Sequence, residues 1–147
     1  MGCVAVTQAT IGQYATNGWQ VAYEFEIKEP TILLNPWQRL HWAARMRHKH
    51  KWSWLVLEAI GSKPTEPIGK AWIHVERGSF GVLPDPDGLI GGLKCLLDIL
   101  SMPRGKKTGF GLIQDDSPDH LRLTAHSTKT RKGCGYTKVT IYREEAA

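Results

Sequence analysis

The chain of 147 residues has little cysteine, and what it has is scattered: Cys3, Cys95 and Cys134 are odd in number and form no Cys-x-x-Cys pair. A disulfide framework and a zinc knuckle are therefore not expected, and reduced thiols are. There is no run of about 18 apolar residues, so no membrane span is expected. The opening Met1-Gly2-Cys3-Val4-Ala5-Val6 has neither the basic region nor the long apolar stretch of a secretory signal, which points to the cytoplasm. Internal repeats and low-complexity segments are also missing. So is acid in one particular place. From Thr31 to Lys51 there is no Asp or Glu, while Arg39, Arg45, Arg47, Lys49 and Lys51 all fall there.

The length suits one domain. The formal net charge of +5 and pI of about 9.2 only mildly favour an anionic partner. Distribution says more than the total, because Asp85, Asp87, Asp98, Asp115, Asp116 and Asp119 crowd the later half. A basic surface beside an acidic pocket is what a metal-dependent enzyme acting on phosphates needs.

Residues 1–18 are weakly patterned and read as a tail or an extra strand. Trp19, Val21, Tyr23, Phe25 and Ile27 alternate with polar or small neighbours, a period-two strand ended by Glu29-Pro30. From Trp37 to Ile60 a helical stripe of Trp37, Leu40, Ala44, Lys51, Leu55 and Ala59 takes over. Asn35 is placed to cap that helix, with Pro36 at its first position. Ala71, Ile73 and Val75 alternate with Lys70, Trp72, His74 and Glu76 as a second strand. A loop over 78–88 precedes a second helix from Leu89 to Met102, which Pro103 stops. Two strands follow near 119–127 and 135–143, and Thr128 to Gly135 reads as a hairpin tip. The order β-α-β-α-β-β predicts a single-domain α+β fold, a mixed sheet with about two helices packed on it over residues 19–147.

Asp85-Pro86-Asp87 carries the first chemistry. In an extended segment, residues two apart point the same way. Pro86 keeps Asp85 out of the helical region, so two carboxylates aim at one point. Their repulsion is relieved by a cation, and Mg²⁺ takes one or two carboxylates together with waters and a phosphate. Taken alone, the tripeptide reads first as a turn, since turns favour Asp and Pro. Asp115-Asp116 is a second acidic pair with the same two readings. Lys94 and Asp98, four apart on the second helix, form either a surface ion pair or a cation set beside the acids.

Together these features resemble the RusA family of Holliday junction resolvases, the crossover junction endodeoxyribonucleases, and its phage-encoded members in particular. The resemblance lies in Asp85-Pro-Asp-Gly-Leu-Ile-Gly-Gly-Leu-Lys-Cys-Leu-Leu-Asp-Ile-Leu, followed by Gly111-Leu-Ile-Gln-Asp-Asp-Ser-Pro. Upstream, Asn35-Pro-Trp-Gln-Arg-Leu-His-Trp-Ala-Ala-Arg is similar to the segment that opens the family's first helix. The likeness covers residues 20–143. It implies Asp85, Asp87 and Asp116 as ligands of Mg²⁺, with Mn²⁺ as the alternative ion, and Lys94 as the catalytic lysine. Two departures stand out. Gly88 replaces the family's usual Asn, and Lys94 lies seven residues beyond Asp87 rather than four. Four and seven residues return close to one helix face, with about 4.5 Å of extra rise.

The expected function is Mg²⁺-dependent resolution of four-way DNA junctions by paired phosphodiester hydrolysis. The alternative is a non-catalytic branched-DNA-binding protein of the same fold. Candidate phosphate contacts are Asn35, Arg39, Arg45, Arg47, Lys49, Lys106, Lys107 and Lys132. Two symmetric cuts imply a homodimer, and the resemblance implies the cytoplasm of a bacterial host and a phage or prophage origin. His41, His48 and His50 sit among arginines, where a metal site is disfavoured. Trp19 and Trp37 are expected in the core, whereas Trp42, Trp52 and Trp54 are candidates for contact with DNA or a second subunit.

Overall fold

The computed structural model describes residues 18–61, 66–103, 109–114 and 117–144. The elements run β1 (Trp19–Ile27), α1 (Leu34–Arg39), α2 (Trp42–Ile60), β2 (Ala71–Ser79), α3 (Pro86–Gly91), α4 (Lys94–Leu100), β3 (Leu121–Lys129) and β4 (Tyr136–Glu144). The strands form one mixed sheet in the order β1-β4-β2-β3, with β2 and β3 parallel and the other neighbours antiparallel. The α+β class is as expected.

Each of the two expected helices is divided in two. The first breaks at Leu40 and His41, both in extended backbone. His41 starts α2 afresh, its Nδ1 accepting from the Ala43 N–H at 3.3 Å. Arg45 ties the two pieces together, its guanidinium donating to the carbonyls of Trp37 and Gln38 at 3.2 and 3.0 Å. Asn35 is therefore not the cap: it lies inside α1, and Leu33 precedes that helix without a side-chain bond. The second helix begins earlier than expected, at Pro86, and breaks at Gly92 and Leu93. There the chain presses against Ile32, whose carbonyl oxygen would lie 2.0 Å from a Cβ on Gly92, so only glycine fits.

The expected hairpin between the last two strands does not form, because β2 lies between β3 and β4. β2 is buried at every position from Ala71 to Gly78, while β3 is half-buried along most of its length. The strand that is apolar or paired on both faces takes the centre, and the half-buried one takes the edge. The link from β3 to β4 thus crosses the C-terminal end of β2, where Thr130 N–H donates to the Ser79 carbonyl at 3.0 Å. Gly78 permits this crossing, since a Cβ there would lie 2.2 Å from the Tyr136 ring.

One face of the sheet presents Phe25, Ile27, Ile73, Val75, Val139 and Ile141 to Trp52 and Val56 of α2 and to Leu96, Ile99 and Leu100 of α4. Each such side chain contributes roughly 1.5–3 kcal/mol by leaving water. The helical stripe is rotated from the expected one. Trp52 is buried in the core, and Lys51 instead points outward to Glu29 at 2.6 Å. Trp37 packs against the core as expected. Of the thiols expected to be reduced, Cys95 is free and buried, but Cys134 is disulfide-bonded. No described helix is long and apolar enough to cross a membrane.

Candidate metal and nucleic-acid site

Asp85 is the N-cap of α3. Its backbone is extended, and its Oδ1 accepts from the Gly88 N–H at 2.9 Å. Pro86 follows at the first helical position, where its missing N–H is not needed. Asp87 stands in the first turn, where a negative charge suits the helix dipole. Both carboxylates are exposed. The departure at Gly88 has a local cause here, because a Cβ at that position would lie 2.6 Å from the Asp85 Oδ1. With glycine, the Asp85 carboxylate folds back onto the helix end; with any larger residue it would have to swing away.

Lys94 opens α4, and its ammonium lies 3.3 Å from the Asp98 carboxylate, with the lysine side chain half exposed. Burial pushes the Cys95 thiol up to about 11, with Lys49 of α2 opposing and Asp98 reinforcing. α1 packs on α3 so closely that a Cβ on Gly91 would lie 2.8 Å from Leu34. Asn35, next to Leu34, is exposed beside α3. Arg39 and Arg47 are exposed on the helical layer, and Lys132 is exposed on the link from β3 to β4. Arg45 is engaged between α1 and α2, and its carbon lies 5.5 Å from the centre of the Trp37 ring.

The structure thus sets Asp85 and Asp87 on one helical turn, with the basic residues of α1 and α2 in the same layer. Among the described residues, no third acid joins them. Asp115, Asp116, Lys106 and Lys107 lie outside the described residues. The described residues flanking the acidic pair are anchored toward the start of β2: Gln114 N–H donates to Ile68, and Ser117 accepts from His120 and Leu121, next to Ala71. Among the described residues, no group of three His, Cys, Asp or Glu side chains could hold a metal ion.

A second polar cluster was not legible in the sequence. On the other face of β2, Tyr136 O–H donates to Glu76 at 2.8 Å, and the Thr124 hydroxyl lies 2.8 Å from the Trp72 indole nitrogen and 2.7 Å from His74 Nδ1. Trp72 also stacks on Tyr142, with ring centres 4.5 Å apart, and Arg122 lies over its indole at 4.4 Å. Trp19, expected in the core, packs edge-on against Trp72 on this face. Burial, helped by the bond to Glu76, pushes Tyr136 up to about 12. The period-two pattern placed Trp72, His74 and Glu76 opposite the apolar residues, but only pairing across three strands shows that all are buried.

The chain matches no family model, no curated protein and no solved structure.

Proposed function

We propose that this chain is a Mg²⁺-dependent endonuclease that resolves four-way DNA junctions in the manner of the RusA family. The observation that supports it most is the pair of exposed carboxylates, Asp85 and Asp87, at the start of α3, in the helical layer that also presents Arg39 and Arg47. Exposed acids close to cations that attract DNA weaken binding unless a metal stands between them and the phosphate.

The donor set fits Mg²⁺ in the sense that hard oxygens are offered in the open. Asp85 and Asp87 would hold the ion, with Asp116 as the third ligand that the resemblance implies. When bound, the ion activates water and stabilises charge at the phosphorus. Lys94, shared with Asp98, holds the phosphate or the water. Arg39, Arg47, Lys49 and Lys132 take the flanking backbone. Two symmetric cuts call for a homodimer with two equivalent sites. The resemblance carries with it the cytoplasm of a bacterial host and a phage or prophage origin; the disulfide at Cys134 counts against the reducing compartment.

The non-catalytic reading has its own support in the capping bond that occupies one Asp85 oxygen. One experiment separates the two. A labelled four-way junction and a linear duplex of the same sequence are incubated with the protein, with and without Mg²⁺. Paired, Mg²⁺-dependent nicks in the junction alone are expected. Junction binding without any cut, at all Mg²⁺ and Mn²⁺ concentrations, sinks the nuclease.

A further inference from the structure

We infer that the outward ridge of α2 is a stacking surface for unpaired nucleotides. Trp42, Met46 and Trp54 are 71%, 61% and 62% exposed, although they belong to the helix whose inner side buries Trp52 and Val56. Residues 42, 46, 50 and 54 follow one another at every fourth position, so they form one continuous strip along the helix. Large side chains exposed this far, and contiguously, mark an interaction surface rather than ordinary scatter.

The strip is built to hold its rings in place. The Trp54 indole N–H donates to His50 Nε2 at 3.2 Å, with the two rings edge-on at 6.5 Å. His41 lies 5.6 Å from the Trp42 ring, while its Nδ1 caps the helix. Arg47 is exposed one residue beyond Met46, and Arg39 stands just before the helix; Lys51, one beyond His50, is already paired with Glu29.

Charge and spacing choose the occupant. No acid lies between Thr31 and Lys51. A second copy docking this ridge about a two-fold axis would set like charges face to face. A polyanion that also offers flat apolar faces satisfies both the cations and the indoles, and single-stranded nucleic acid is that ligand. Successive ridge residues rise by about 6 Å, well above the roughly 3.4 Å between stacked bases of one strand. The ridge therefore suits bases splayed from their stack, as at the crossover of a branched DNA, and not an intact duplex. The link to branched DNA rests on the proposed function; the stacking itself needs neither Asp85 nor a metal.

The test measures anisotropy of a short labelled oligothymidylate and of a blunt duplex, in EDTA so that no cutting intervenes. Trp42→Ala and Trp54→Ala should each weaken oligothymidylate binding by about 5- to 150-fold. Duplex affinity and the salt slope should stay as in the wild type. Trp42→Phe and Trp54→Phe should restore most of the loss, which a folding defect would not allow. Unchanged oligothymidylate binding in the alanine variants overturns the inference, as does an equal loss on duplex. So does a wild-type dimer in sedimentation that becomes a monomer in Trp42→Ala/Trp54→Ala, which would make the ridge a subunit contact. The nuclease stands or falls separately. A chain that stacks oligothymidylate but never cuts a junction with Mg²⁺ keeps the ridge and loses the nuclease; one that cuts, with tryptophan variants that bind normally, does the reverse.

Discussion

The polar residues of β2 and those of the α3–α4 segment are set in opposite environments. Glu76 and His74 are 4% and 3% exposed and are bonded to Tyr136 and Thr124 from neighbouring strands. Asp85 and Asp87 stand in water at the start of a six-residue helix, and Lys94 follows on the next. Removing one partner of a buried hydrogen bond leaves the other to bear its desolvation, about 1–3 kcal/mol. Removing an exposed carboxylate costs the fold little. The β2 cluster therefore bears on stability, and the acidic turn bears on what arrives from outside.

The sharpest test of that contrast is Asp87→Asn. If Asp87 is a metal ligand, cleavage of a four-way junction should fall by at least ~100-fold, more than the loss known for residues that only support a ligand. The melting temperature should hold, and junction binding should persist or tighten as repulsion against phosphate is relieved. Asp116→Asn should behave the same way. Wild-type cutting by either variant removes that residue from the site.

Tyr136→Phe should invert the pattern. It deletes a hydrogen bond to a buried carboxylate, so unfolding in urea should show a loss of roughly 1.5–3 kcal/mol. Cleavage per folded molecule should not change. A variant as stable as the wild type would show that the bond to Glu76 contributes nothing net.

The histidines supply a smaller, graded effect. Burial lowers the pKa of His74, and His126 lowers it further while Glu76 opposes. Burial also lowers that of His48, with Glu29 opposing and Lys51 reinforcing. A histidine whose folded pKa is depressed binds its proton more readily unfolded. Stability is therefore complete above the ordinary value of 6.5 and declines as pH falls from there through the folded pKa. The urea midpoint should drop on acidification below 6.5, and His48→Asn should remove part of that slope. A midpoint independent of pH across this range would sink the argument.

Much of the fold was legible because it rests on local periodicity. The bounds of β1, the end of the first helix at Ile60 and the mixed α+β class all follow from residues close in sequence. What failed depends on contacts far apart. The break at Leu40–His41 is set by a histidine cap and by Arg45 reaching back to Trp37, neither of which has a simple pattern. The place of β2 between β3 and β4 is a matter of which strand is buried on both faces. Trp52 and Trp54 look alike in sequence; a small rotation of the helical stripe buries one and exposes the other. In the acidic turn, the extended segment expected through Asp85-Pro86-Asp87 gives way at Pro86 to a helix, and neither that early start nor the capping bond to Gly88 was legible.

That bond offers the finest test. Gly88→Ala places a Cβ where the Asp85 Oδ1 now lies, 2.6 Å away. The carboxylate must turn out, and the cap it supplies, worth about 1 kcal/mol, is lost. Alanine returns a similar amount, because glycine inside a helix costs roughly 1 kcal/mol relative to it. Net stability should hardly move. Both Asp85 oxygens would then be available beside Asp87, so half-maximal cleavage should be reached at a lower Mg²⁺ concentration. Gly88→Asn, which restores the family's residue, should shift it in the same direction. A higher Mg²⁺ requirement in both variants would mean that the capped orientation is already the ligating one, and that Gly88 serves the metal by letting Asp85 fold back. No shift in either variant would separate Asp85 from the metal altogether, and leave it as the cap of α3 alone.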